Sequence, residues 1–252
     1  MQKILIVFGN FIFRWRDTIF TLIFLPPFYL VTLPQMTAGG LNADNNAFTA
    51  GMIVTGLGLF IRMLTIGFGF IMRSGVDKQI HASGIMRVGF FAHTRNPLYV
   101  GNYLIVTGVM ISINLTFYYI FLLPLFYIIY YAITIAEEEY LKKKFGKEYE
   151  TYLKEVNRYI PGNLSSFKDS FKDLEFSWKR YFKREYSSTA LALMALSMIQ
   201  VVKLHGQYDY PLNSGLPLFL ILFTGVLFGI YILIRVLAKA KFLEITNPEP
   251  KH

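Results

Sequence analysis

Arg95, Asn96, Pro97 and Tyr99 close a stretch punctuated by Gly84 and Gly89, and further along the chain three carboxylates follow in a row, Glu137, Glu138 and Glu139. Pro97 stands where helix N-termini accept proline. The backbone N–H groups of such a terminus favour an anionic ligand group, and Arg95 adds a forked cation suited to a carboxylate. The plainer alternative is membrane-interface punctuation, with Arg95 on lipid phosphate. The carboxylates end an apolar run, where they are costly unless solvated or paired. Neighbouring helical positions point about 100° apart, so at most two of the three can address one pocket. They suit ribose hydroxyls or a cationic group, or else form a solvated acidic turn. Arg62 is a third candidate, because a charge within an apolar span is functional by default. It can pair with Glu137 or Glu138, hold an anionic headgroup, or serve as a structural pair inside a bundle. The chain has no cysteine, and its 4 histidines lack ligand spacing, so no metal site is expected.

These groups need elements to hold them, and composition says which kind. Hydrophobic residues make up 54% of the 252, charged ones 16%, and mean hydropathy is +0.42. One soluble core cannot hide that much apolar surface, and disorder is excluded. The expected class is an all-α, polytopic membrane helical bundle with about six transmembrane helices and interfacial helices on the cytoplasmic side. The spans are read at 18–34, kinked at Pro26-Pro27, and at 48–72, 98–113, 117–136, 188–202 and 216–238. The run 4–13 is too short to cross and is stopped by Arg14-Trp15-Arg16, so it reads as an interfacial segment. Spans three and four, joined around Asn114-Leu115-Thr116, must form an antiparallel hairpin. That hairpin puts Arg95 to Tyr99 and the glutamates on one membrane face.

Charge sets the orientation. All basic residues except Arg62 and Lys203 fall on one expected face, which by the positive-inside rule is the cytoplasm. Both termini and the candidate active site are expected there. The formal charge of +9 then reflects orientation and contact with anionic headgroups, with no nucleic acid as partner. Two polar stretches on this face have helical apolar spacing, 137–156 and 167–182. The second is aromatic and basic, with Ser166 and Asp169 resembling a capping box.

The motif Arg95-Asn96-Pro97-x-Tyr99-x-Gly101, followed by Glu137-Glu138-x-x-Leu141-x-x-x-Phe145-Gly146-x-x-Tyr149-x-x-Tyr152-x-x-x-Val156-x-Arg158-x-x-Pro161, resembles the C-terminal signature of integral-membrane methyltransferases. These are the isoprenylcysteine carboxyl methyltransferase and phospholipid N-methyltransferase group. The resemblance implies S-adenosylmethionine as methyl donor, with S-adenosylhomocysteine as product. It implies a cofactor grip by the glycine-rich loop with Gly89 and by Arg95, Asn96, Pro97, Tyr99, Glu137 and Glu138; His93, the one imidazole near Asn96, is a further candidate for that site or else an ordinary loop histidine. Arg95, Tyr99 and Arg62 are the expected catalytic residues, and Arg62, Tyr149, Tyr152 and Arg158 are expected to meet the acceptor. The sequence departs from the pattern at Asn96, where histidine is usual, and at Asn157, where proline is. Asn96 can hydrogen-bond but cannot titrate as a base.

The expected organisation is 1–83 for the N-terminal segment and first two spans, 84–161 for the cofactor-binding core, 162–186 for the basic interfacial helix, and 187–252 for the last two spans and tail. The acceptor is a lipid or lipid-like molecule, and the oligomeric state stays open. An NADPH-dependent sterol or lipid reductase and a non-catalytic lipid-binding scaffold are the rival readings.

Overall fold

The computed structural model describes residues 2–33, 39–69 and 84–240. The expected end of span two at Met72, the basic residues Arg73 and Lys78, and Lys241 and Lys251 lie outside the described residues. So does the Pro34 end of span one. Among the described residues the regular elements are all helices, with one isolated bridge between Thr94 and Asn157.

The main helices are α1 (Gln2–Phe24), α2 (Pro27–Leu30), α3 (Leu41–Phe68), α4 (Pro97–Ile113), α5 (Leu123–Phe145), α6 (Lys147–Glu155), α7 (Phe167–Ser170), α8 (Trp178–Tyr208) and α9 (Gly215–Lys239). A π-turn over Tyr118–Leu122 leads into α5. Among the described residues four helices are long and apolar enough to cross a membrane: α3, the 28-residue stretch Tyr118–Phe145, α8 and α9. Shorter apolar helices, at Thr18–Leu30 and in the 17-residue α4, stand at the other two of the about six expected spans.

Four features of the sequence reading change. The apolar run 4–13 and the start of the first expected span are one 23-residue helix, α1, so Arg14-Trp15-Arg16 interrupts hydropathy but not the helix. The chain bends after α1 at Leu25-Pro26, because proline offers no N–H to continue the ladder. The expected helix 137–156 is divided at Gly146, whose φ of +55° places it where glycine is favoured. The expected helix 167–182 is also not continuous. Only Phe167–Ser170 and the start of α8 are helical. Phe171 packs edge-on against Phe68 and Phe90, at 5.2 and 5.0 Å, while Phe176 packs edge-on against Phe68 at 5.2 Å. Residues five apart on one helix diverge by about 140°, so a continuous helix cannot send both rings to Phe68. The Ser166 hydroxyl donates to the Asn163 carbonyl at 3.0 Å, and the cap falls instead to Ser177, whose Oγ accepts from the Arg180 N–H at 3.3 Å. Helix α8 then runs without a break from this basic entry into the apolar span.

Small residues bring the helices together, as they do where lipid supplies no hydrophobic drive between spans. Helix α3 lies on α4 so closely that a Cβ on Gly58 would stand 2.7 Å from the Gly101 carbonyl oxygen. Helices α4 and α5 form the expected antiparallel hairpin. Asn114 turns the chain with φ 53°, and cross-contacts tie Thr107 to Tyr127 and Asn102 to Tyr130. The main core gathers Ile12 and Phe13 of α1, Val109, Met110 and Ile113 of α4, Phe126, Ile129 and Ile133 of α5, and Leu196 and Ile199 of α8.

Candidate functional site

The hairpin delivers the start of α4 and the last turns of α5 to the same end of the bundle, and the segment after α6 folds back across them. Arg95 N–H donates to the Asn157 carbonyl at 2.8 Å, beside the Thr94–Asn157 bridge, and the Thr94 hydroxyl donates to the Arg158 carbonyl at 3.1 Å. Asn157, where the resembled pattern has proline, acts here through its backbone.

Glu138 is the centre of this arrangement. Its Oε1 accepts from Arg95 Nε at 3.1 Å, and its two oxygens accept from Arg158 Nε and Nη2 at 3.1 and 2.7 Å. Asn96 Nδ2 donates weakly to the same carboxylate at 3.5 Å and to the Arg158 carbonyl at 3.3 Å. Arg95 Nη1 also holds the carbonyls of Leu153 and Val156, at 2.8 and 3.0 Å, which ends α6 on the site. Glu138 and Arg95 are each only about a tenth exposed in their side chains. Two guanidinium groups on one buried carboxylate satisfy its charge and fix its orientation. The hydrogen bonds it donates to Glu138 push the Arg158 guanidinium still further up from its already high range.

Glu137, one residue earlier, points to a different partner. It is buried, and its charge acts on the nearby Tyr99 phenol. Glu139 sits at the rim and pairs with exposed Lys143 at 3.4 Å. The three carboxylates therefore divide as helical geometry requires: two inward on adjacent sides, one outward.

The structure thus brings together Arg95, Asn96, Pro97, Tyr99, Glu137, Glu138 and Arg158. It separates other expected site residues from them. His93 is 2% exposed, and its ring nitrogens face the Gly162 carbonyl at 3.0 Å and Ser170 Oγ at 2.9 Å, so it ties the 162 loop to α7. Gly89, with φ +59°, packs under Leu174 and Phe171. Tyr149 and Tyr152 are each 3% exposed and form a small core with Ile85, Leu141, Phe145 and Leu153. The Tyr152 hydroxyl donates to the Phe91 carbonyl at 2.7 Å. Burial raises both phenols above their ordinary range.

Arg62 pairs with neither Glu137 nor Glu138. Its fork meets Glu185 of α8, Nε to Oε2 at 2.9 Å and Nη2 to Oε1 at 2.7 Å. Its Nη1 donates to Asn102 Oδ1 and, at 3.4 Å, to the Leu98 carbonyl. The sequence reading missed Glu185 because it lies far along the chain, within the stretch 162–186 expected to be an interfacial helix.

Beside the Glu138 cluster a groove of about 620 Å³ runs along the outside of the hairpin. Val100, Tyr103 and Leu104 of α4, Tyr127, Ile128 and Tyr131 of α5, and Tyr159, Ile160 and Pro161 line it. Its tyrosines form a chain. Arg158 Nη1 donates to the Tyr131 hydroxyl at 3.2 Å, and the Tyr159 hydroxyl donates to Thr134 Oγ1 at 2.8 Å. Burial raises the Tyr159 phenol. The groove is therefore apolar along its length and reaches the charged cluster at one end through Arg158. The period of these tyrosines on α4 and α5 is visible in the sequence, but aromatic residues at helical spacing mean core far more often than groove.

Residues 46–148 match a family model, that of phospholipid methyltransferase, over a stretch running from α3 into α6. This agrees with the resemblance carried by Arg95 to Gly101 and by the Glu137-Glu138 motif. No curated protein and no solved structure matches the chain. Together with the long apolar helices, the match supports an integral-membrane methyltransferase.

Proposed function

We propose that this membrane methyltransferase transfers the methyl group of S-adenosylmethionine to a lipid acceptor at the cytoplasmic face. The observation that carries the reading is the meeting of the two signature halves around Glu138 at the head of a lateral, tyrosine-lined groove. The residues fit such a cofactor. Glu137 and Tyr99 offer an acceptor and a polar hydroxyl suited to ribose and amino-acid groups, and the surrounding rings suit a sulfonium cation. Arg95 and Arg158 both pair with Glu138.

When bound, S-adenosylmethionine supplies an electrophilic methyl on a cationic sulfur and leaves as S-adenosylhomocysteine. In-line transfer depends on alignment and exclusion of water more than on acid or base groups. The chain provides both. Arg95 and Arg158 lock Glu138, α6 closes over Arg95 through its last carbonyls, and Pro97 starts α4 directly beneath. Asn96 orients through its amide without moving a proton. A lipid acceptor enters along the groove from the membrane side, its chain against Val100, Leu104 and Ile128 and its headgroup toward Arg158. The basic residues at the start of α8, with exposed Trp178 and Phe182, support contact with anionic headgroups at the same face.

Calorimetry of the purified protein in detergent micelles tests the assignment. Binding of S-adenosylhomocysteine and none of NADPH is expected; the reverse would install the reductase, and neither would leave the scaffold. The groove has its own test. Leu104→Trp fills it, and the expected result is an acceptor KM raised by about tenfold, from the lost apolar burial, with S-adenosylhomocysteine affinity unchanged. Arg62→Met is expected to leave that affinity unchanged too, while turnover falls about tenfold to a hundredfold as α3, α4 and α8 lose their shared tie. Turnover equal to wild type would show that Arg62 is peripheral to the reaction.

A further inference from the structure

We infer that Arg16 of α1 is a positioning residue of the cofactor site, the countercharge that holds the Glu137 and Tyr99 pair in place. This rests on the reading of that site as one for S-adenosylmethionine, and it adds to it a helix that lies outside residues 46–148.

The argument begins with spacing. Gly9, Phe13, Arg16 and Phe20 recur at intervals of four, three and four, which places them on one face of α1. That face is the one packed on α5. A Cβ on Gly9 would touch the Ala136 Cβ at 3.0 Å, so the two helices nearly meet there. At the other end of the stripe Phe20 stacks on Tyr130, with ring centroids 5.4 Å apart and planes 14° from parallel, and touches Phe126 at 5.6 Å. Further on, the Tyr118 hydroxyl donates to the Ile23 carbonyl at 2.8 Å. Helix α1 therefore runs antiparallel to α5, and Arg16 falls between its two contact points. Phe13 beside it is 4% exposed, and the Arg16 guanidinium lies 4.6 Å over the Phe13 ring.

A guanidinium in a packed apolar seam needs anionic or hydrogen-bonding company. The polar groups at this level are those of the site. Tyr130 meets Tyr99 edge-on at 5.4 Å, and the Glu137 carboxylate lies close enough to act on the Tyr99 phenol. The Arg16 and Glu137 charges both act on the Tyr99 and Tyr130 phenols. Arg95 and Arg158 are committed to Glu138, so the neighbouring carboxylate draws its compensating charge from α1. Holding the Glu137 carboxylate in one orientation makes it a fixed acceptor for the hydroxyls of a bound nucleoside and a fixed partner for a sulfonium.

The test compares wild type, Arg16→Met, Arg16→Lys and the neighbouring Arg14→Met by S-adenosylhomocysteine calorimetry and thermal melting. Arg16→Met is expected to bind about tenfold or more weakly, the worth of one charge-assisted contact, while still melting cooperatively. Arg16→Lys should recover part of the loss, and Arg14→Met should match wild type. Wild-type affinity in Arg16→Met overturns the inference, and so does a lysine variant as weak as the methionine one, since packing alone would then explain the loss. Should Arg16→Met not fold, Arg16→Gln replaces it, and equal affinities in the glutamine and lysine variants overturn the inference. No binding by wild type itself overturns the function and this inference with it, whereas the preceding outcomes leave the function standing.

Discussion

Glu138→Ala is expected to abolish measurable S-adenosylhomocysteine binding and to lower stability by about 3–5 kcal/mol, the usual result of breaking a buried ion pair by removing one partner. The cause is specific. Alanine removes the carboxylate that both Arg95 and Arg158 share, and two guanidinium groups then face each other with no anion between them. Arg95 cannot swing to solvent, because its side chain is about a tenth exposed and its Nη1 is held by the ends of α6. The repulsion therefore acts on the fold of the 153–158 segment as well as on the site. Arg158 is more exposed at 31%, so Arg158→Met should cost less stability than the glutamate change while still weakening binding. Thermal melts in one detergent, read with calorimetry on the same samples, decide the matter. A Glu138→Ala protein that melts with wild type would show that the cluster bears no load.

Lys203→Met is expected to destabilise the protein to a similar extent, about 3–5 kcal/mol, yet leave S-adenosylhomocysteine affinity unchanged wherever the protein remains folded. Lys203 is 0% and Asp44 1% exposed. The Lys203 ammonium donates to Asp44 Oδ1 at 3.0 Å and to the Ile113 carbonyl at 2.7 Å. Asn114 Nδ2 and the Tyr208 hydroxyl also donate to Asp44, each at 2.6 Å. This cluster binds the start of α3, the end of α4 and the end of α8, at the opposite end of the bundle from Glu138. Methionine fills the same volume but leaves the carboxylate with neutral donors only. Replacing both charges, as in Asp44→Leu with Lys203→Met, should recover much of the loss, because two buried charges exchanged for apolar groups cost far less than one left alone. If the single change weakens cofactor binding directly, the two ends of the bundle are coupled, and the separation drawn here is wrong.

The contrast between these clusters shows where the sequence was informative. Apolar run length and charge were enough for an all-helical membrane bundle and for the α4–α5 hairpin, because burial in lipid forces backbone hydrogen bonds to close within each segment. The spacing of Arg95, Tyr99, Glu137 and Glu138 was enough to expect them together, since the hairpin leaves those residues no other end to occupy. Helix ends were less legible. The run 167–182 has a helical pattern, but Phe171 and Phe176 both turn to Phe68, a contact that local spacing does not encode.

Partner choice was decided by the tertiary structure alone. Arg62 and Lys203 were recognisable as anomalous charges, but nothing local distinguishes Glu185 from Glu138 as the acid that Arg62 meets. Arg14-Trp15-Arg16 read as a stop because hydropathy averages over a window, whereas burial depends on which face a residue occupies. Helix α1 continues through it and turns Arg16 toward Tyr130 and Tyr99. The sequence by itself determined which charges had to be compensated within an apolar bundle. Only the packing of α1, α3 and α8 around the hairpin decided which groups compensate them, because pair energies at short range depend on position in space and not on distance along the chain.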